Sequence, residues 1–127
     1  MHNEYPSPDG RFLLQTSNYE VRMSHWIEEP YLQDLSKDET VFDLVGSGWS
    51  LYRYHWGGGG QSLLLELRRY PGRDPSVIVL ADLASGRVRT MTDEDELFER
   101  IKASGPPPDF LSREERELGR LRSLLHY

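Results

Sequence analysis

The sequence predicts an α+β domain: an antiparallel β-meander of about six to eight strands, strongly twisted or partly closed, followed by two C-terminal helices. Three observations carry this expectation. Alternating or β-branched runs fill most of residues 11–91. Gly, Pro, Asn and Asp interrupt those runs at short intervals. Helical spacing begins only after residue 91. No helix is therefore expected between strands, which disfavours a parallel βαβ architecture. The 127 residues suit one domain, 1–127, with a sheet part at 1–91 and a helical part at 92–127.

In chain order, Tyr5-Pro-Ser-Pro-Asp-Gly10 reads as a turn, with two prolines leading into an Asp-Gly corner. A short strand follows from Arg11 to Thr16, and Ser17-Asn18 suits a two-residue turn. The next strand, Tyr19–Trp26, sets Tyr19, Val21, Met23 and His25 against Glu20, Arg22, Ser24 and Trp26. Glu28-Glu29-Pro30 is expected to break it. Pro30–Leu35 then reads as a short edge strand, because proline lacks a ladder donor. Ser36–Glu39 is a charged turn, Thr40–Val45 a strand, and Gly46-Ser47-Gly48 a corner.

Trp49–Tyr70 is the centrepiece: two β-type runs around Gly57, Gly58, Gly59 and Gly60, hence a hairpin with a loose tip. Plain alternation puts Trp49, Leu51, Arg53 and His55 on one face and Tyr52, Tyr54 and Trp56 on the other. Leu63-Leu64-Leu65 suits a strand covered on both sides. After a loop at 71–75, Ser76–Leu83 is the best buried strand, and Arg87–Met91 returns beside it across Ala84-Ser85-Gly86. Thr92 and Asp95 form a capping pair that starts the first helix, with Leu97, Phe98 and Ile101 as its apolar stripe. Ser104-Gly105 and Pro106–Pro108 end it. Ser112 and Glu115 start a second helix, in which Leu118, Leu121, Leu124 and Leu125 recur at helical spacing.

Ser7-Pro-Asp-Gly-Arg-Phe-Leu13 resembles the turn that opens strands in TolB-like and WD40-like β-propeller blades. Asp82-Leu-Ala-Ser-Gly-Arg-Val88 resembles a hairpin found late in such blades. The likeness implies four-stranded meander units. It does not imply a propeller, since blades take about 40–45 residues and a ring usually needs at least four.

Composition narrows the function. There is no cysteine, which excludes disulfides, thiolate zinc sites and cysteine nucleophiles. The net charge of −6 argues against non-specific nucleic-acid binding and is compatible with solubility or with docking onto a basic partner. No apolar run reaches the roughly 20 residues that span a bilayer. No secretory signal is recognisable at the start. The expectation is a soluble, cytoplasmic protein that meets neither membrane nor nucleic acid.

Candidate sites are few. His25-Trp26 and His55-Trp56 each follow an arginine, but no HxH or HxxxH spacing supports a metal, even with Glu28, Glu29 and Asp43 nearby. Ser47 lies one residue short of a nucleophile elbow. The four glycines lead into a strand and are not followed by Lys-Ser or Lys-Thr, which disfavours a phosphate cradle. No cofactor is expected. What remains is the aromatic set Trp26, Trp49, Tyr52, Tyr54 and Trp56, with His25, His55 and the glycine loop Gly57–Gly60. Core is the favoured place for the Tyr52–Tyr54–Trp56 face, because Trp and Tyr are usually largely buried. If exposed, that face suits a protein partner, a sugar or a flat ligand.

The reading that follows is a protein-interaction module, monomer or homodimer, whose partner is another protein. It resembles immunity proteins in size and charge alone. The alternative is a small-molecule or carbohydrate binder, or an enzyme, using an aromatic and histidine pocket on the sheet.

Overall fold

A computed structural model describes residues 2–21, 25–69, 76–92 and 116–125. Among these residues, nine antiparallel strands form two sheets. The first holds β1 (His2–Pro6), β2 (Phe12–Val21), β3 (His25–Asp34) and β4 (Glu39–Asp43), in that order. The second holds β5 (Trp49–Gly57), β6 (Ser62–Arg69), β7 (Val77–Asp82), β8 (Arg87–Thr92) and the two-residue β9 (Arg116–Glu117). Each sheet is a meander, with consecutive strands paired as neighbours. The expected antiparallel order is thus present, divided between two sheets that share one core.

That core follows from alternation. Phe12, Leu14, Leu32 and Phe42 come from the first sheet, Leu44 from just past its end, and Leu63, Leu65, Leu67, Val77, Val79 and Val88 from the second. Every residue from Val77 to Ala81 is buried, so β7 is covered on both faces, as its unbroken apolar run requires.

Several boundaries differ from the expected ones. His2–Pro6 is a strand, paired with β2 from Ser17 to Leu13. Ser17-Asn18 does not turn the chain, and β2 runs on to Val21. Nor does Glu28-Glu29-Pro30 break β3, which lies between β2 and β4 as an interior strand. Proline is tolerated there for a geometric reason. The Pro30 carbonyl accepts from Leu44 N–H at 3.0 Å, on the β4 side and just past the end of β4. The missing Pro30 donor faces the same side, so no bond to β2 is lost.

The two expected helices are only partly within view. The first, and the Ser112–Glu115 start of the second, fall outside the described residues. Within them, Arg116–Glu117 pairs with β8, and only a 3-10 turn (Leu118–Arg120) and the short helix α1 (Leu121–Leu124) follow. The described residues are therefore mostly antiparallel β with little helix. Among them, no helix is long and apolar enough to cross a membrane. The C-terminal turn is bound firmly to the sheets. Leu121 and Leu125 are buried in the common core, and the Trp49 Nε1–H donates to the Leu125 carbonyl at 3.0 Å.

Candidate functional site

β5 is where the sequence reading and the structure part most clearly. A β-bulge separates Leu51, opposite Leu67, from Arg53, opposite Glu66, and leaves Tyr52 as the extra residue. The bulge resets the alternation. Leu51, Tyr54 and Trp56 sit opposite Leu67, Leu65 and Leu63, all core residues, so these three share the inward face with Trp49. Tyr52, Arg53 and His55 share the outward face with Arg68. The expected grouping of Tyr52 with Tyr54 and Trp56, and of Trp49 with Arg53 and His55, is therefore corrected.

The outward face carries a compact stack. The Arg68 guanidinium carbon lies 3.6 Å from the centroid of the Tyr52 ring, and that of Arg53 lies 5.2 Å from it. Such stacking is favourable because the ring face is electron-rich and arginine sheds water readily. Arg53 also reaches down to Glu66, Nε to Oε2 3.2 Å, and Glu66 is buried beneath it. Tyr52 itself remains 51% exposed. His55 and Arg68 are exposed as well.

The inward face ends in a second polar group. The Tyr54 and Tyr5 rings stand 4.6 Å apart at 33°. Close to them, the Asn3 amide donates to Glu28 Oε1 at 3.1 Å, and the Glu28 N–H donates to Ser50 Oγ at 3.0 Å, joining β3 to β5. Burial and the charge of Glu28 push the Tyr5 hydroxyl above the ordinary tyrosine range, opposed by its hydrogen bond with Asn3. Trp56 packs partly against the core, with its Nε1–H buried and without a hydrogen-bond partner among the described residues.

The remaining candidates fall elsewhere. Trp49 is 1% exposed and serves the core. Trp26 is 49% exposed and lies on the other sheet, in register with Glu20. His25 begins β3 and His55 lies near the end of β5, so the two His-Trp pairs hold non-equivalent places. Among the described residues, no group of three His, Asp or Glu side chains could hold a metal.

The glycine tip is a hydrogen-bonded turn, with Gly60 N–H donating to the Gly57 carbonyl at 3.0 Å. It docks against the Ser7–Arg11 turn. A Cβ on Gly60 would stand 2.7 Å from Asp9 Oδ1, and its φ of +110° is open to glycine and little else. The Asp9 carboxylate is fixed there by the Ser7 hydroxyl at 2.6 Å and the Arg11 N–H at 3.1 Å, which hold its pKa below the ordinary range. A carboxylate pressed against the loop makes it a poor anion cradle.

Gly46-Ser47-Gly48 is likewise a structural corner. Buried Glu29 accepts from Gly46 N–H at 3.0 Å and from Gly48 N–H at 2.7 Å. Ser47 Oγ accepts from Trp49 N–H at 3.1 Å. Burial, together with the Glu29 charge and hydrogen bond, raises the pKa of Tyr19 above it.

Sequence reasoning passed over Arg68, Asn3 and Tyr5. Arg68 stood at the end of an apolar run with nothing to tie it to Tyr52 until the bulge was known. His2–Pro6 is short and contains a proline, so its strand gave no alternation to read. Compared with models of known protein families, with curated proteins and with solved structures, the chain matches none.

Proposed function

We propose that the chain is a protein-interaction module that docks a partner on the outward face of β5. One observation carries this reading. A bulge inside an otherwise regular strand sets Tyr52 about half exposed between two guanidiniums, on the outward side of the sheet. Tyr and Arg are the residue types that dominate binding energy at protein interfaces. Among the described residues the other large exposed side chains include Tyr54, on the opposite face of the same strand, and Tyr19 and Trp26, on the other sheet. An immunity-protein-like role, blocking another protein by occupying its surface, is one subtype of this reading.

A second reading rests on the inward end of β5. Two tyrosine rings beside an amide–carboxylate pair are the groups that hold sugars, through ring faces and hydroxyl hydrogen bonds. One experiment separates the two. The ¹⁵N-labelled protein is titrated with peptides selected from a displayed random library, and separately with a panel of oligosaccharides. Shifts centred on the Tyr52, Arg53 and Arg68 amides support the docking face. Shifts centred on Asn3, Tyr5 and Tyr54, from a sugar and not from a peptide, overturn it in favour of the second reading.

A further inference from the structure

We infer that the docking face selects a short peptide segment of the partner in which a carboxylate stands beside an apolar or aromatic residue, and that Arg68 is the group that takes the carboxylate. The inference rests on the proposed docking role and names its chemistry.

The two arginines beside Tyr52 are not equivalent. Arg53 is engaged by Glu66 at 3.2 Å. Arg68 has no carboxylate partner among the described residues and is exposed. Its guanidinium is held 3.6 Å from the Tyr52 centroid. Stacking on a ring occupies the flat face of a guanidinium and leaves the N–H groups around its edge free. Those donors match the two oxygens of a carboxylate, and part of the ordering entropy has already been spent on the stack. The Tyr52 ring supplies the adjacent apolar surface. A one-carboxylate anchor next to an apolar residue matches this patch: one guanidinium, unpaired with any carboxylate among the described residues, beside one ring.

Other occupants fit less well. The chain carries −6 overall, so a strongly acidic partner would be repelled at long range. The pairing is therefore local, one or two carboxylates rather than an acidic tract. Nucleic acid needs many cations along a groove to release counterions, and among the described residues the Tyr52 patch offers two arginines, one of them paired with Glu66.

The test uses the full chain as bait for a phage-displayed library of random 12-residue peptides, with the Arg68→Gln chain as counter-selection. The expected result is enrichment of peptides with Asp or Glu next to an apolar residue. Affinity should fall about 10-fold or more for Arg68→Gln, and equally when the peptide's Glu is replaced by Gln. Arg68→Lys should recover only part, since an ammonium cannot stack and fork at once. Tyr52→Ala should weaken binding while the circular-dichroism melt stays unchanged. Enriched peptides without acidic residues, or indifference to Arg68→Gln, overturn the inference and leave the docking role intact. Recovery of no peptide overturns both. Competition by a single-stranded oligonucleotide at equal affinity would also overturn it, by showing that the face reads phosphate.

Discussion

Single residues carry more of this fold than their sequence neighbourhood reveals. Asp34 closes β3. It accepts from Arg11 Nε and Nη2 at 3.4 and 3.2 Å, and from the Ser36 hydroxyl and N–H at 2.7 and 3.0 Å. The Arg11 bonds first, and the Ser36 bonds after them, lower its pKa from 3.8 to about 2. A carboxylate with a depressed folded pKa stabilises the protein above its unfolded pKa, and that contribution is lost as pH falls through the folded value. The window is thus from about 4 down to about 2. Urea unfolding of the protein and of Asp34→Asn, repeated between pH 6 and pH 2, should show a constant gap above pH 5 that narrows through this window. A gap independent of pH would show that Asp34 acts by shape and not by charge. Nothing in the sequence singled out Asp34, because its partner lies 23 positions away. Glu29 was expected to break the strand and instead proved a clamp, unseen for the same reason: its two N–H donors sit across a corner that only the fold brings near.

At the scale of an element, β5 shows what alternation can and cannot tell. The strand, its partner and its turn residues were readable, because apolar runs around Gly57–Gly60 fit nothing else. Which face each residue takes was not, because one extra residue reverses every assignment beyond it. No residue type announces a bulge, and Tyr52 suits a regular strand as well as an irregular one. The register gives a direct check. Without Tyr52, Leu51 opposite Leu67 would be followed by Arg53 opposite Glu66 and Tyr54 opposite Leu65, an unbroken ladder. Deletion of Tyr52 should therefore leave stability within about 1 kcal/mol, since no buried contact changes face. The same deletion should abolish partner binding at Arg68, which loses the ring it stacks on. Chemical denaturation and the peptide titration read the two effects separately. A deletion that unfolds the chain would show that the bulge is needed for the sandwich itself.

For the whole molecule, the antiparallel meander was legible, and its division into two sheets was not. A run of short antiparallel strands has the same pattern whether it continues one sheet or starts another. The decision lies at the β4–β5 corner, where Glu29 draws Gly46 and Gly48 onto β3 and the chain leaves β4 for the second sheet. The C-terminal turn then locks that corner. Arg122 donates to the Val45 carbonyl at 2.8 Å, Leu125 accepts from Trp49, and Leu121 is buried without remainder. The leucine spacing predicted an amphipathic segment, and its use is now explicit: it fills the core the two sheets share, at the place where the chain passes between them. Leu121→Ala should thus cost about 2–5 kcal/mol, the range for a buried leucine whose site cannot collapse. Arg122→Ala, at an exposed bond, should cost under about 1 kcal/mol. Because both sheets contribute to the same cluster, Leu121→Ala should shift a single cooperative transition, seen alike by tryptophan fluorescence and by far-ultraviolet circular dichroism. Two separated transitions would instead mean that each sheet is stable alone, and that the terminal turn closes the domain without helping to hold it together.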